Sequence, residues 1–402
     1  MALRAAPRVA GSTMELTRLA VEDFRSYAAA DLAPDPGLTV VAGPNGAGKT
    51  NLLEAIHTTI IGRSHRAGVD AELVRHGAPF ARVRLDLAGG TGGGGTTIEL
   101  VVPGPDPTPG VRKRLTVNGV PRRSTTLAEV ARVVLFRPEE MLLLVGSPTE
   151  RRRFLDGIVA QRDRRAARDL AEVARVITQR NALLRAIRAE EASIDALGFW
   201  DEQLAQLGAR VMRARLATLA ELVDRIGPLH ESVASDVERG SSVKLAFLDG
   251  LKEAWPERAD PRERMPADDE LAAAYRRRIA AVRQREAWNG VSLVGPQRDD
   301  LRAELGGRDV ASHASRGQQR TIILAMKLAE TDLLGADGPR PVVLLDDVFS
   351  ELDPDRAARL SELLSGRGQV IVTTADPGTL EGARRRDAAV WRIDLGRLVR
   401  EP

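Results

Sequence analysis

The run Gly43-Pro44-Asn45-Gly46-Ala47-Gly48-Lys49-Thr50 constrains this chain more than any other feature. It follows a short apolar stretch, residues 38–42, and opens the helix-periodic stretch 51–60, so it sits where a strand turns into a helix. Glycines at these positions let successive backbone N–H groups curl around a phosphate, and the helix N-terminus adds its partial positive charge. Lys49 is placed to neutralise the β- and γ-oxygens of a nucleoside triphosphate, and Thr50 to hold Mg²⁺. The reading is a binding site for ATP and Mg²⁺. A glycine turn that merely caps a helix is the competing reading; it is opposed by Lys49, one of five lysines among 59 basic residues, standing at the required place.

Composition bounds the rest. With 402 residues, 43% hydrophobic and 29% charged, the chain has the balance of a globular protein with a sizeable core. No apolar run approaches the roughly 18 residues of a membrane span. There are no cysteines, which excludes disulfides, thiolate metal sites and a cysteine nucleophile, and fits a reducing cytoplasm. The net charge of +3 is too small to imply a polyanionic partner. Arginine is abundant everywhere, so the clusters 63–66, 151–153 and 276–278 read first as solvated faces. Among them Arg63 and Arg66, just past the phosphate-loop helix, are the best placed for DNA. Only 3% of residues are aromatic, which favours contact with a charged backbone over stacking on bases.

Along the chain, strands are expected at 16–24, 38–42, 80–87 and 97–102, with a glycine-rich hairpin tip at 89–95, a loop at 103–110 and a hairpin turn at Asn118-Gly119. Together they form an antiparallel β layer on a nucleotide-binding core. From 149 to about 226 the period becomes helical, with stripes Leu170, Val173, Ile177, Leu184 and Leu216, Leu219, Val223, Ile226. A break at 193–199 folds these helices into a short antiparallel arm. An exposed connection at 249–268 precedes a further helix at 269–288. The expected organisation is a disordered tail at 1–13, with Met14 as an alternative start, half of the nucleotide-binding head at 14–148, the arm at 149–290 and the other half of the head at 291–402.

Two more motifs belong to that head. Pro341-Val342-Val343-Leu344-Leu345-Asp346-Asp347 reads as a buried parallel strand ending in two carboxylates. Asp346 is placed to hold the water shell of Mg²⁺ and Asp347 to orient or deprotonate an attacking water. Upstream, Ser315 is a natural cap for the helix that follows Arg316-Gly317-Gln318-Gln319-Arg320. Its exposed N–H groups form an anion site suited to the γ-phosphate held by a second copy of the chain.

At this point the sequence resembles the ABC-type ATPases, whose signature is Leu-Ser-Gly-Gly-Gln. Ser315, Gly317 and Gln318 match it and Arg316 replaces the first glycine, while Ser350-Glu351-Leu352-Asp353 resembles the D-loop. About 260 residues separate Thr50 from Ser315, far more than in a transporter subunit and far fewer than the coiled coils of SMC proteins require. A compact α/β head with an antiparallel β layer and a short helical arm resembles the RecF family of bacterial DNA repair and replication proteins. Four stretches carry the resemblance: residues 19–27, 136–140, 146–156 and 293–301. It implies an ATP-dependent homodimer that binds single-stranded, gapped or duplex DNA and works with RecR and RecO to load RecA in the SOS response, without a membrane. It also implies weak ATP hydrolysis used as a switch. An SMC-like DNA-bridging ATPase is the alternative, and a transporter-type subunit a more distant one. Departures are Asp347, where transporters usually carry glutamate, Thr374-Ala375-Asp376, where their switch histidine would stand, the lack of a plain Q-loop glutamine near Phe136, and Gln297, commonly histidine in RecF-like chains.

Overall fold

The structure, a computed structural model, describes residues 14–89, 95–105, 112–235, 238–251, 262–376, 378, 388–394 and 397–401. The expected tail at 1–13 lies outside them, as do most of the hairpin tip and loop near 90 and 106 and the centre of the connection at 249–268. The chain divides into two compact units, a nucleotide unit drawn from Met1–Met141, Ser232–Ser235 and Lys327–Pro402, and a helical unit drawn from Leu142–Glu231 and Asp236–Met326.

In chain order the nucleotide unit opens with β1 (Glu15–Phe24), β2 (Tyr27–Leu32), β3 (Leu38–Ala42), α1 (Lys49–Ile61), β4 (Phe80–Ala88), β5 (Thr96–Pro103), β6 (Arg114–Val117), β7 (Val120–Pro121) and β8 (Val133–Phe136). The helical unit follows with α2 (Pro148–Arg162), α3 (Arg164–Arg188), α4 (Gly198–Val233), β9 (Val243–Leu248), α5 (Asp268–Asn289), β10 (Asp300–Leu305), β11 (Arg308–Asp309), α6 (Val310–His313) and the start of α7 (Arg316–Ala336). The chain then completes the nucleotide unit with β12 (Val342–Asp346), α8 (Pro354–Leu364), β13 (Val370–Thr374), β14 (Ala389–Asp394) and β15 (Arg397–Arg400).

Two six-stranded sheets build the nucleotide unit. One is antiparallel in the order β2-β1-β4-β5-β6-β7, the other runs β15-β14-β3-β13-β12-β8 and is parallel apart from β15. The antiparallel sheet alternates, as a half-solvated sheet must: Leu19 and Val21 of β1 and Val83, Leu85 and Leu87 of β4 point inward between exposed or half-buried neighbours. The parallel strands read Val342-Val343-Leu344-Leu345 and Val370-Ile371-Val372 because both their faces are buried. Leu52, Leu53, Ala55, Ile56 and Ile60 of α1 belong to the same core as residues of both sheets, so this helix is apolar around most of its circumference. Asn118 and Gly119 both have positive φ and form the expected hairpin turn between β6 and β7.

The helical unit is held by a ladder of ion pairs that fixes its topology. Asp156–Arg215 and Arg162–Glu221 run in the same sense along α2 and α4, whereas Asp169–Arg210 and Arg180–Asp201 pair α3 with α4 at positions that descend on one side as they ascend on the other. This is the antiparallel arrangement expected from the break near Ser193. A second break, at Asp163, separates α2 from α3; its carboxylate caps α3 by accepting from the N–H groups of Arg165 and Ala166. Helix α5 joins through Arg276–Glu202 and Glu286–Arg180. The antiparallel strands β9, β10 and β11 form a small sheet not anticipated from the sequence.

Arg180 is the centre of this packing. Fully buried, it donates to Glu286 at 2.6 Å, Asp201 at 2.9 Å and Ser292 at 2.8 Å, while Glu286 also accepts from the N–H groups of Leu293 and Val294. Removing one partner strands an uncompensated buried charge. Arg180→Leu is expected to destabilise the helical unit by about 3–5 kcal/mol, read as a lower urea midpoint by circular dichroism. The double variant Arg180→Leu/Glu286→Leu should lose less than the sum of the two single changes.

Candidate nucleotide site

The phosphate loop leaves the C-terminal end of β3 and closes into the first turn of α1. Gly46 and Gly48 have φ of 81° and 110°, backbone that favours glycine. A Cβ on Gly48 would also stand 2.9 Å from both the Ser26 and Tyr27 hydroxyl oxygens. The buried Tyr27 donates to the Gly48 carbonyl at 3.0 Å, and Asn51 donates to Ser26, so the β1–β2 turn braces the loop from beneath. Lys49 folds over the loop and donates to the Gly43 and Pro44 carbonyls at 2.7 and 3.0 Å. Burial lowers its pKa, opposed by Asp347 and Asp346.

Asp346 ends β12 and is buried; Asp347 follows in the left-handed conformation, φ 52°. Strand β13 lies between β3 and β12 and ties the two motifs together. The Thr373 hydroxyl donates to Asp346 Oδ1 at 2.8 Å, and the Thr374 carbonyl accepts from Gly43 N–H at 3.2 Å. The Asp347 N–H donates to Thr373, and the Asp347 carbonyl accepts from Ser350 of the D-loop-like segment at 2.7 Å. Asp347 Oδ1 is buried without a hydrogen-bond partner among the described residues, a position a water or a nucleotide-bound group would satisfy. The oxygens of Thr50 and Asp346 are hard donors of the kind Mg²⁺ takes together with phosphate oxygens. The residues present therefore fit both ATP and Mg²⁺.

Sequence reasoning missed three supports, Thr373, Tyr27 and Glu54. Glu54 lies one turn into α1, fully buried, and accepts two bonds from Arg25 at 2.9 and 2.8 Å and one from Ser64 at 2.6 Å, with Arg66 at 3.5 Å. Burial pushes the Glu54 carboxyl up, but the hydrogen bonds from Arg25 and Ser64 and the charges of Arg25 and Arg66 outweigh it, and the net shift is downward. The one available signal was a charged residue inside an apolar helical run. Arg66, expected at a DNA surface, is turned toward α1, donating to Asn51 at 3.2 Å. Arg63 is exposed. His65 stands edge-on to His57 with ring centroids 5.0 Å apart; burial and then Arg137 push its pKa down to about 4.

In the helical unit, Ser315 and Gln318 cap α7 reciprocally. Gln318 N–H donates to Ser315 Oγ at 3.2 Å and Ser315 N–H to Gln318 Oε1 at 2.9 Å. The N–H groups of Arg316 and Gly317 are left for an external acceptor among the described residues, and Ser315 and Arg316 are exposed. Arg151, Arg152, Arg153 and Arg276 of the other basic clusters bond within the chain. Arg151 pairs with Asp300 at 2.7 Å, Arg152 donates to the Asp299 carbonyl, Arg153 pairs with Glu150 and Arg276 with Glu202. Two of the stretches that carry the family resemblance therefore meet here. Arg215 completes the contact, bridging Asp156 and the buried Asp299, each at 2.8 Å.

Comparison with known proteins bears on these elements together. Residues 18–102 match a family model described as an AAA domain. The DNA replication and repair protein RecF of Kineococcus radiotolerans is 40% identical over 386 residues, covering 92% of this chain and 95% of that protein. The chain belongs to the RecF family. The family member of Streptomyces avermitilis, also named DNA replication and repair protein RecF, is 38% identical over 92% of this chain. A solved structure of the recombination mediator protein RecF with ATP, in the RecFOR pathway, superposes with a TM-score of 0.84 at 25% identity, covering 99% of this chain and 100% of that one. An SMC head domain from Pyrococcus furiosus gives 0.54 at 18% identity, a likeness of fold alone. The fold is thus the α/β ABC-type ATPase head shared by RecF proteins and SMC heads. No helix among the described residues is long and apolar enough to cross a membrane.

The Glu54 hub gives a pH-dependent expectation. Its folded pKa lies below the ordinary glutamate value, so its stabilisation is present above about pH 4.3 and is lost as pH falls through the folded value. Glu54→Gln should cost about 2–3 kcal/mol at pH 7. Urea midpoints of variant and parent should converge on acidification.

Proposed function

We propose that the protein is an ATP-controlled DNA-binding protein of recombinational repair and replication, in which ATP joins two copies into a clamp. The loop N–H groups and Lys49 hold the β- and γ-phosphates, and Thr50 and Asp346 are the ligands for Mg²⁺, which when bound neutralises charge on the phosphate oxygens. Asp347 orients or deprotonates the attacking water. Its short side chain, and Thr374-Ala375-Asp376 where transporters have a histidine, favour slow hydrolysis, suited to a timed switch rather than a motor. The observation that carries the dimer is the capped, exposed N-terminus of α7. The reciprocal cap satisfies Ser315 N–H and Gln318 N–H, and leaves the Ser315 hydroxyl hydrogen and two backbone N–H groups for a γ-phosphate held by the other copy. Its relatives are named for DNA replication and repair, and solved relatives for the RecFOR pathway. On this reading the dimer acts on gapped DNA in the cytoplasm, with RecR and RecO, to help load RecA.

Ser315→Arg is the decisive variant. It should leave ATP binding by the single copy intact while abolishing ATP-induced dimerisation in light scattering, and DNA affinity should fall with it. Were Ser315 a cap alone, the same change would cost about 1 kcal/mol of stability and the folded variant would dimerise at the parental ATP concentration, which rejects the clamp.

A second variant separates switch from scaffold. Asp347→Asn retains the Mg²⁺ ligand Asp346 and should prolong the ATP-bound dimer. Parental hydrolysis rates in this variant would place the base elsewhere.

A further inference from the structure

Helices α3 and α5 and the turn leading into α4 meet at one end of the helical unit, where Leu184, Leu197 and Ala287 form a small buried cluster with Leu183, Ile187 and Ile194 packed against it. Two of the largest apolar side chains nearby stay out of that cluster. Trp288, next to Ala287, is 82% exposed, and Phe199, two residues past Leu197, is 65% exposed. Phe199 also stands edge-on to Trp200, ring centroids 5.1 Å apart. Leaving such rings in water forgoes burial that the neighbouring core offers to smaller residues.

Arg285 lies three residues before Trp288 on α5. The Arg188 guanidinium donates to the Asn289 carbonyl at 3.3 Å. Both it and the Arg185 stem lie within 3.4 Å of where a side chain on Gly290 would begin. Arg185 and Arg285 are exposed, and neither has a carboxylate partner among the described residues. This differs from the clusters at 151–153 and at Arg276, whose guanidinium groups are consumed by carboxylates and carbonyls of the chain. The turn between α3 and α4 carries Glu190, Glu191 and Asp195, all exposed, so this end is close to electrically balanced. A duplex, held chiefly by dense phosphate charge, would find little field here. A single strand offers what the patch matches, unstacked bases for flat rings and spaced phosphates for guanidinium forks.

We propose that this end of the helical unit is a contact site for single-stranded nucleic acid, in which Trp288 and Phe199 stack on bases and Arg185, Arg188 and Arg285 meet the phosphates. The proposal rests on the DNA-binding reading above but requires neither ATP nor dimerisation. The low aromatic content of the chain does not oppose it, because two rings suffice when both stand in solvent.

The experiment measures binding of fluorescent oligothymidylate and of a duplex of equal length to the full chain without nucleotide, by anisotropy. Trp288→Ala is expected to weaken single-strand affinity about ten-fold and Trp288→Phe to restore much of it, while duplex affinity changes little. The slope of log affinity against log salt should be shallow, corresponding to about one to three phosphates. Melting curves matching the parent confirm that the exposed substitution leaves the fold intact. Parental single-strand affinity in Trp288→Ala would overturn the proposal while leaving the clamp reading untouched. So would an equal loss on single strand and duplex, or a loss of self-association alone, which would make the patch a contact between copies. Failure of the parent to bind any DNA, with or without ATP, would instead remove the DNA-binding reading and this inference together.

Discussion

Two consecutive residues at the end of β13 hold the nucleotide site in register. Thr373 reaches through its hydroxyl to Asp346 on one neighbouring strand, and Thr374 through its carbonyl to Gly43 at the end of the other. The phosphate loop and the acidic strand lie about 300 positions apart in the chain, so their relative placement depends on the central strand and not on local structure. Parallel pairing makes this economical, since every strand delivers its C-terminal end to the same edge of the sheet. The bracing of the loop by Tyr27, and of α1 by Arg25 through Glu54, then locks that edge to the antiparallel sheet.

What the sequence disclosed divides along physical lines. Motifs whose chemistry depends on backbone shape and residue order, the phosphate loop, Asp346 and the Ser315 cap, were legible because the residues that make them are neighbours in the chain. The β layer and the long helices were legible through their periods. Glu54 and Thr373 were not, because the partners that give them meaning come from elsewhere in the chain. Strands β9 to β11 escaped for a related reason. Leu245 of β9 and Leu301 and Ala303 of β10 bury one face, but β9 is six residues long and its pattern is interrupted by half-buried positions. The break at Asp163 was hidden because helix-favouring residues continue on both sides of a single capping carboxylate.

Arginine carries an unusual share of the packing in the helical unit. Arg180 and Arg215 are buried at the junctions between helices, each shared by two carboxylates. The planar guanidinium suits this role, since its fork engages two acids at once and its charge is not surrendered on burial. The buried arginines that do this lie outside the clusters at 63–66, 151–153 and 276–278, where Arg63, Arg66, Arg153, Arg276 and Arg277 are exposed.

The left-handed backbone at Asp347 has an implication for how the site evolves. That conformation costs a typical side chain about 1–2 kcal/mol, and less for aspartate, whose short polar group bonds locally. The position where transporters usually carry glutamate is therefore governed here by the turn as well as by the chemistry. The bonds that hold the turn, from Asp347 N–H to Thr373 and from Ser350 to the Asp347 carbonyl, use the backbone of residue 347 and not its side chain. The turn therefore restricts which side chain this position accepts, whatever chemistry it serves.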